Sequence, residues 1–499
     1  MNIFHFQEPQ RSICFRSSFG ATGPHATTAT KIETGEVVHS EHRRFRSING
    51  HRVRSGRVIA CLILGLGLIG LDADSDTSTS NWPSWRGPDG SGVVSHGNPP
   101  VEWSEDQNVK WKTSLPGEGQ STPIIWHDKI FLLAAVPVGT DTGEVKSAYG
   151  GPPSKGVDVP YRYLVLCLDR DSGEILWETT VREQKPHEGY HPSGSLAPYS
   201  PVTDGEYLWA SFGSRGLYCL DYNGNILWEA ETIEMRKAGR YGEGSSPVLA
   251  EQAVIVLTDH EGQSRITAYD KDNGSIIWQI NRDEGSSWSS PVVTKVGNRL
   301  EVITSAPNFI RSYDAQTGEL IWKCAGLTDC AAPSPVVYDG KVYCTTGFRG
   351  QAILAIELGH EGDLTGTDAV VWSRNKGASN VPTPLALDGR LYVFEGYRAV
   401  LSCLNSETGD AHYERERIPG MANVYASPLA VRDKIYVSDR KGVTAVLEAA
   451  DDLRVVSTNK LDERLDASPV VLGNELYLRG RSALYCIADQ RTQDDVRAD

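Results

Sequence analysis

Residues 268–278 read AYDKDNGSIIW, which describes the end of one strand, a tight turn and the start of a second strand. Asp270 and Asn273 have short side chains that bond their own backbone, and Gly274 adopts a positive φ at no steric cost. The isoleucines that follow favour a strand, and Trp278 is a large apolar anchor. The stretch therefore predicts a β-hairpin whose glycine stands four residues before its tryptophan.

This hairpin is repeated along the chain, and each copy keeps the glycine four residues before a tryptophan. The other clear copies lie at residues 168–177, 220–228 and 313–322. A second marker is Ser or Thr followed by Pro and aliphatic residues. Its eight copies are Thr122-Pro123, Ser200-Pro201, Ser246-Pro247, Ser290-Pro291, Ser334-Pro335, Thr383-Pro384, Ser427-Pro428 and Ser468-Pro469. From the second copy onward they are 46, 44, 44, 49, 44 and 41 residues apart, and such a period indicates a repeat fold.

The two markers together describe a unit of four antiparallel strands. The Ser/Thr-Pro pair opens a first strand, a second strand follows it, and the hairpin adds the third and the fourth. Four strands in about 40–50 residues are typical of one blade of a β-propeller. The sequence therefore predicts an all-β fold, namely an eight-bladed β-propeller of four-stranded antiparallel blades. Its fifth copy departs from the hairpin pattern at residues 357–363.

The last repeat lacks a fourth strand, because no further strand pattern follows Ile487. A strand-like segment at residues 108–113 precedes the first Ser/Thr-Pro pair and has no blade of its own. We therefore expect this N-terminal strand to pair into the last blade and close the propeller. Closure of this kind removes exposed sheet edges, which otherwise favour aggregation.

The residues before the repeats predict export. Residues 1–57 form a basic, low-complexity leader, and residues 58–73 contain an uncharged run of 14 apolar residues, which matches the core of a signal peptide. Cleavage of this leader and a translation start near Val53 both stay open. The remaining boundaries are a polar linker at 74–81, the propeller at 82–490 and a polar tail at 491–499.

The charge distribution argues against nucleic acid as a partner. The formal net charge is −15, although residues 1–60 carry nine Lys and Arg against four Asp and Glu. The propeller region is therefore strongly acidic and lacks the basic footprint that phosphate backbones require.

The cysteines are predicted to be structural. Four of them stand at the same repeat position and are expected to be small buried hydrophobic side chains. These four are Cys167, Cys219, Cys403 and Cys486. Cys324 and Cys330 flank a short loop, and whether they pair in an oxidising compartment stays open. No Cys-x-x-Cys pair or His-rich spacing indicates zinc.

The repeated hairpins and Ser-Pro strands resemble the quinoprotein-type propeller repeats over residues 82–490. Eight-bladed quinoprotein dehydrogenases of this type bind pyrroloquinoline quinone with Ca²⁺, whereas BamB-like members are cofactor-free scaffold subunits of outer-membrane protein assembly. Residues 82–92 and 476–480 look like those of exported planctomycete-type propeller proteins. The resemblance implies that outer-strand tryptophans dock neighbouring blades. Those tryptophans are Trp111, Trp177, Trp228, Trp278, Trp322 and Trp372.

A quinone cofactor needs a stacking platform, a Ca²⁺ site of hard oxygen ligands and a carboxylate base. The enzymes resembled also carry adjacent cysteines, and no Cys-Cys pair occurs in this sequence. Asp259-His260-Glu261, His187 and His191 are interpreted as polar loop residues rather than as a base or a metal site. The sequence therefore predicts no cofactor and no catalytic residues, with pyrroloquinoline quinone and Ca²⁺ as the alternative.

A binding surface is expected where the loops before the first strands meet the loops between the second and third strands. These loops carry arginines and aromatic residues, which are favoured at binding hot spots. The candidate rim consists of Arg215, Arg240, His260, Trp288, Arg349, Tyr397, Arg398, Arg440, Arg479 and Arg481. Its arginines predict a positively charged funnel that suits an anionic ligand or an acidic peptide.

These features predict an exported, non-catalytic propeller that binds protein or peptide partners in the periplasm or cell envelope of a Gram-negative-type bacterium. The resemblance also implies an association with the outer membrane or the envelope, and the chain is expected to be a monomer. A quinoprotein-like oxidoreductase with an atypical site is the alternative. A carbohydrate- or polymer-binding module is a third interpretation.

Overall fold

The computed structural model describes residues 81–139, 144–145, 154–156 and 158–489. The predictions for the leader, the signal-peptide core and the C-terminal tail fall on residues 1–80 and 490–499, outside the described residues. Within the described part of the chain, none of the helices has the length and apolar character that a membrane span requires. The helices there are two short 3₁₀ turns, Gly213–Arg215 and Ala238–Arg240.

The strands form eight antiparallel blades in chain order, which confirms the predicted eight-bladed β-propeller. The strands of blades 1 to 4 are Ile124–Trp126, Lys129–Pro137, Tyr161–Asp169 and Ile175–Gln184; Val202–Thr203, Leu208–Ser211, Leu217–Leu220 and Ile226–Ala230; Val248–Ala250, Ala253–Thr258, Ser264–Asp270 and Ile276–Arg282; and Val292–Val296, Arg299–Thr304, Ile310–Asp314 and Leu320–Cys324. Those of blades 5 to 8 are Val336–Tyr338, Lys341–Thr346, Ala352–Glu357 and Val370–Arg374; Leu385–Leu387, Arg390–Phe394, Val400–Asn405 and Ala411–Arg417; Leu429–Val431, Lys434–Ser438, Val443–Glu448 and Arg454–Lys460; and Val470–Leu472, Glu475–Arg479, Ala483–Ile487 and Val109–Ser114.

The N-terminal strand Val109–Ser114 supplies the fourth strand of blade 8, as predicted. It pairs antiparallel with Ala483–Ile487, and Trp111 stands opposite Cys486. Short strands extend three other blades and form one separate hairpin. They are Asn81–Trp82 on blade 1, Val93–Val94 on blade 7, Gly362–Asp363 on blade 4, and the pair Glu144–Val145 and Ser154–Lys155.

The hairpin at residues 268–278 receives the tryptophan of the preceding blade. A Cβ added to Gly274 would stand 2.6 Å from Cε3 of Trp228, so the absence of a side chain lets the indole lie on the turn. The indole Nε1 of Trp228 also donates to Lys271 O over 3.0 Å. The same two contacts join Trp111 to the turn of Gly173, Trp177 to that of Gly224, Trp278 to that of Gly318 and Trp372 to that of Gly409.

Trp322 is the exception among these tryptophans, because the next blade has the irregular hairpin. Its side chain is fully buried, yet its Nε1 has no hydrogen-bond partner among the described residues. The inserted strand Gly362–Asp363 pairs with this part of blade 4 instead, with Gly362 opposite Trp322. The insertion in blade 5 therefore replaces the tryptophan-on-turn contact with a strand pairing.

The four cysteines at the common repeat position are buried, as predicted. Cys167, Cys219, Cys403 and Cys486 have exposures of 0–1%, and burial raises the pKa of each thiol to about 12. All seven cysteines among the described residues are free thiols, including Cys324 and Cys330.

Candidate functional site

The Ser and Thr residues that open the first strands form a hydrogen-bonded ring around the central channel. In seven blades, the backbone N–H of this residue donates to the hydroxyl oxygen of its counterpart in the next blade over 2.8–3.1 Å. These eight residues have exposures of only 1–8%. We call them the hydroxyl ring; its members are Thr122, Ser200, Ser246, Ser290, Ser334, Thr383, Ser427 and Ser468. The Ser/Thr-Pro repeat thus joins neighbouring blades at the channel wall.

Arg479 bridges blades 8 and 1, where the series of seven hydrogen bonds ends. Its Nη1 donates to Ser121 O over 2.8 Å, and its Nη2 donates to Leu133 O over 2.7 Å. The side chain is only 2% exposed, and burial lowers the pKa of Arg479 to about 9. Arg479 therefore clamps the closure of the propeller and does not present its charge to the channel.

A plug formed by residues 83–92 crosses one end of the channel. Pro83 O accepts from Thr203 N in blade 2 over 2.9 Å, and Gly92 O accepts from Ala430 N in blade 7 over 2.8 Å. Between these anchors, the buried guanidinium of Arg86 donates to Pro384 O over 3.1 Å and to Pro428 O over 3.3 Å. The long-range docking of this segment closes the channel.

The other end of the channel is an open cup of about 660 Å³. Trp85 of the plug lies at its floor, because this side chain also lines a second cavity of about 220 Å³ on the far side of the plug. The whole hydroxyl ring lines the cup. Further aromatic lining comes from Tyr241, Trp288, Phe348, Tyr397 and Tyr425. The volume falls within the range of about 300–1,000 Å³ that is typical of ligand pockets.

Glu243 lines the cup, and donors surround its carboxylate. Arg215 Nη1 lies 2.8 Å from Oε1, and Tyr199 OH donates to Oε2 over 2.8 Å. Ser214 Oγ donates to Oε1 over 2.7 Å. Burial favours the neutral carboxyl, but Arg215 and Ser214 outweigh it, and the pKa of Glu243 is lowered. The carboxylate is therefore ionised and fully committed to internal partners.

Asp466 also lines the cup and lies between two arginines. Its Oδ1 is 2.8 Å from Arg440 Nε, and its Oδ2 is 2.6 Å from Arg464 Nε. Arg440 also lies over the ring of Tyr425, 4.0 Å from the centroid. Burial raises the pKa of Asp466 to about 6, against the opposite effect of Arg440. The two carboxylates that line the cup, Glu243 and Asp466, thus form ion pairs with three arginines.

The structure distributes the ten predicted rim residues over three environments. Trp288, Tyr397 and Arg440 line the cup. The residues on the surrounding loop surface are Arg240, Arg349, Arg398 and Arg481, the last paired with Glu118. Arg215, His260 and Arg479 are buried. The expectation of a positively charged funnel is corrected accordingly, because Arg215 and Arg479 point into the blades and Arg440 is paired with Asp466.

The Asp259-His260-Glu261 loop forms an internal network, in agreement with its interpretation as a polar loop. Asp259 pairs with Arg282 at 2.8 Å, and both side chains are fully buried. Glu261 Oε1 accepts from Ser286 Oγ over 2.8 Å. Lys237 Nζ donates to the carbonyl oxygens of Asp259 and Ser287, and burial lowers the pKa of Lys237 to about 8.

The histidines of the 183–199 crossover have local partners. His187 Nε2 is 2.7 Å from Met235 O, and His191 Nδ1 is 2.5 Å from Ser193 Oγ. Within the described residues, no group of three His, Cys, Asp or Glu side chains could hold a metal ion. The cup offers stacking surfaces and hydrogen bonds, because aromatic side chains and hydroxyl-bearing residues line it.

Sequence reasoning missed Trp85, Tyr425 and Ser245 at this site. Trp85 reaches the cup only through the plug, and Tyr425 through its stacking on Arg440. Ser245 has a φ of 102°, and its buried hydroxyl has no hydrogen-bond partner among the described residues. The sequence offered one signal for two of these residues, namely their position. Ser245 directly precedes Ser246-Pro247, and Tyr425 lies two residues before Ser427-Pro428.

A sequence model of the family described as outer membrane protein assembly factor BamB matches residues 162–306, 262–365 and 310–498. The chain is 23% identical over 260 residues to the outer membrane protein assembly factor BamB of Shewanella oneidensis, which covers 48% of this chain and 62% of that protein. It is 28% identical over 256 residues to the tetrathionate hydrolase of Acidithiobacillus ferrooxidans, which covers 48% of this chain and 43% of that protein. The chain thus spans less than two thirds of each relative.

The quinohemoprotein alcohol dehydrogenase of Comamonas testosteroni has a similar fold. It superposes with a TM-score of 0.56 over 85% of this chain and 83% of that protein, at 11% sequence identity. This similarity shows the propeller fold alone, because a fold of this kind hosts many functions.

Proposed function

This chain belongs to the family of the outer membrane protein assembly factor BamB, and we propose that it is an exported, non-catalytic propeller that binds a protein or peptide partner in its funnel. The observation that carries the proposal is the cup, which is closed at its floor and walled by aromatic side chains and hydroxyls. Tyr397 at its edge is 43% exposed. Exposed aromatic residues around a concave site are favoured at binding hot spots.

The charges of the cup support binding rather than turnover. Glu243 and Asp466, which line it, are held by arginines at 2.6–2.8 Å. A general base must reach the proton that it abstracts. Both carboxylates instead have their oxygens occupied by internal donors, so neither is poised to act on a ligand.

The residues of the cup do not fit pyrroloquinoline quinone with Ca²⁺. Calcium takes six to eight oxygen ligands, usually including carboxylates. The two carboxylates of the cup are separately paired with arginines, and the described residues contain no cluster of three metal-binding side chains. The quinone itself carries three carboxyl groups, and only Arg440 among the cup-lining residues is a cation. We therefore propose that the chain acts without this cofactor.

The setting of the proposed function rests on the family and on the N-terminal sequence. The name of the Shewanella relative places that protein in outer membrane protein assembly. The apolar run within residues 58–73 suits an export signal. We propose that this chain acts as a monomer in the periplasm or cell envelope, where an outer membrane or envelope association would bring it to its partner.

Peptide retention by the purified full chain tests the function. A pool of random, N-acetylated dodecapeptides with free carboxyl ends is incubated with the protein, and the retained peptides are identified by mass spectrometry after ultrafiltration. We expect retention by the wild type and by Leu227→Ala, which changes an exposed residue on an outer strand. The double variant Trp288→Ala/Tyr397→Ala should lose it. Equal retention by all three proteins would show that the peptides do not bind in the cup, and it would overturn the proposed binding site.

The oxidoreductase alternative has a separate test. The protein is incubated with pyrroloquinoline quinone and Ca²⁺, and both bound quinone absorbance and dye-linked alcohol oxidation are measured. Stoichiometric cofactor uptake with alcohol oxidation would overturn the non-catalytic function. We expect neither, because the cup lacks a calcium ligand set.

A further inference from the structure

The hydroxyl groups of the hydroxyl ring have O–H donors that are not used within the described residues. A hydroxyl provides one donor and two acceptor positions. Seven of the ring hydroxyls accept a backbone N–H from the preceding blade. Among the described residues, none of the eight donates its own proton to a protein acceptor. The ring therefore presents polarised O–H donors to the cup, since accepting a hydrogen bond strengthens a hydroxyl as a donor.

Ser245 adds an independent donor beside the ring. Ser245 lines the cup and is 8% exposed, and its buried hydroxyl makes no hydrogen bond within the described residues. The residue also has a φ of 102°, a region in which a non-glycine residue is strained. A buried polar group without a partner costs free energy, and such groups recur where a ligand supplies the missing partner.

The plug determines which part of a chain can reach these donors. Trp85 and the residues around it close the channel, and Arg86 fastens the plug to blades 6 and 7. A polypeptide entering from the open end therefore meets a floor and has no exit through the channel. An end of a chain fits this geometry, whereas a continuous internal segment has to fold back on itself.

The free donors of the cup favour the carboxyl end over the amino end. Glu243 and Asp466, the two carboxylates that line the cup, are paired with Arg215, Arg440 and Arg464, so neither opposes an incoming carboxylate with an unpaired negative charge. A carboxylate only accepts hydrogen bonds, so it complements unpartnered O–H donors. An ammonium group only donates, so it would leave these hydroxyl protons without an acceptor.

We propose that the hydroxyl ring and Ser245 receive the terminal carboxylate of a partner polypeptide, whose last apolar or aromatic side chains pack among the aromatic residues of the cup. The proposal rests on the proposed peptide-binding function and specifies its ligand. Capture of a terminal carboxylate is a known mode of peptide recognition by other protein architectures. In this propeller, side-chain hydroxyls from eight blades replace the backbone donors used there.

The test compares two pools of random, N-acetylated dodecapeptides that differ only in a free carboxyl or a carboxamide end. The purified full chain should retain the free-acid pool at least tenfold better, because the amide loses charge-assisted hydrogen bonds. Equal retention of both pools would overturn this inference and leave the peptide-binding function intact. Retention of neither pool would count against the function itself.

Two further arms locate the site and the ligand class. Ser245→Ala removes an unpartnered hydroxyl and no structural hydrogen bond, so the folded protein should persist while the preference for the acid falls several-fold. Ser275→Ala, on an exposed turn at the opposite face, should leave the preference unchanged. N-acetylphenylalanine should compete weakly. Competition equal to that of the peptides would show a small-acid site and overturn the peptide end as ligand.

Discussion

The contact between Trp228 and Gly274 gives a prediction with a matched control inside the same chain. Gly274 has a φ of +73°, and an added Cβ would meet the indole at 2.6 Å. Gly340 has a φ of +71°, and an added Cβ there has nothing within 4 Å. The substitutions Gly274→Ala and Gly340→Ala therefore impose the same backbone strain, and only the first also crowds a tryptophan.

The expected costs follow from these two terms. An alanine in the left-handed region costs about 1–2 kcal/mol in either variant. Crowding of a packed side chain adds about 1–3 kcal/mol at Gly274 alone. With an unfolding entropy of about 2.1 cal/mol/K per residue, a body of about 400 residues loses about 1 °C in Tm per kcal/mol. Gly274→Ala should therefore melt about 1–4 °C below Gly340→Ala.

Differential scanning calorimetry of both variants measures this difference. A second pair, made in the Trp228→Ala background, isolates the contact, because Gly274→Ala should there cost no more than Gly340→Ala. Equal Tm values for the two single variants would refute the reasoning, since the indole would then not depend on the bare glycine. A difference that persists without Trp228 would assign the cost to another neighbour.

Three further predictions concern the plug, the buried network and the cup. Arg86→Ala should destabilise the protein by about 3 kcal/mol, because buried carbonyl acceptors lose their donors, and limited proteolysis should then cut residues 83–92 first. Burial lowers the pKa of Lys237 to about 8. Between pH 8 and about 10 the unfolded chain therefore binds more protons than the folded one. The free energy of unfolding should rise with pH over this range by up to about 3 kcal/mol. Lys237→Met should abolish that rise when Tm is measured from pH 7 to 10. Cys330 lines the cup while the other described thiols are buried, so a maleimide should modify Cys330 before the other six described cysteines, and a bound peptide should slow the reaction.

The repeat pattern was sufficient to predict the blades and their closure. Local sequence signals carry this information, because Gly274 indicates a positive φ and the Ser/Thr-Pro pair indicates the start of a strand. The unpaired segment at residues 108–113 also followed from counting strands. These predictions depend only on the chain near each residue and on the rule that strands pair.

The predicted rim was less accurate, because blade register places a residue on a loop without fixing the direction of its side chain. Arg215 turns inward to Glu243, which lies 28 residues further along the chain. Arg479 turns inward because the closure between blades 8 and 1 needs donors for Ser121 O and Leu133 O. Trp85 reaches the cup through a plug whose anchors are in blades 2 and 7. Each of these outcomes depends on contacts between distant segments, which no local pattern encodes.

The hairpin residues of the repeat and the residues that line the cup occupy different ends of the same strands, and this separation bears on function. The glycines and tryptophans of the hairpins act at one face, where they fix neighbouring blades without contacting the cup. Of the repeated residues, the Ser/Thr-Pro hydroxyls do reach it, and they offer the same donor in every blade. Selectivity must therefore come from non-repeated loop residues such as Trp288, Tyr397 and Tyr425. Two members of this family can thus share every repeat marker and still bind different ligands, so the loops, rather than the repeats, are the place to test what this chain recognises.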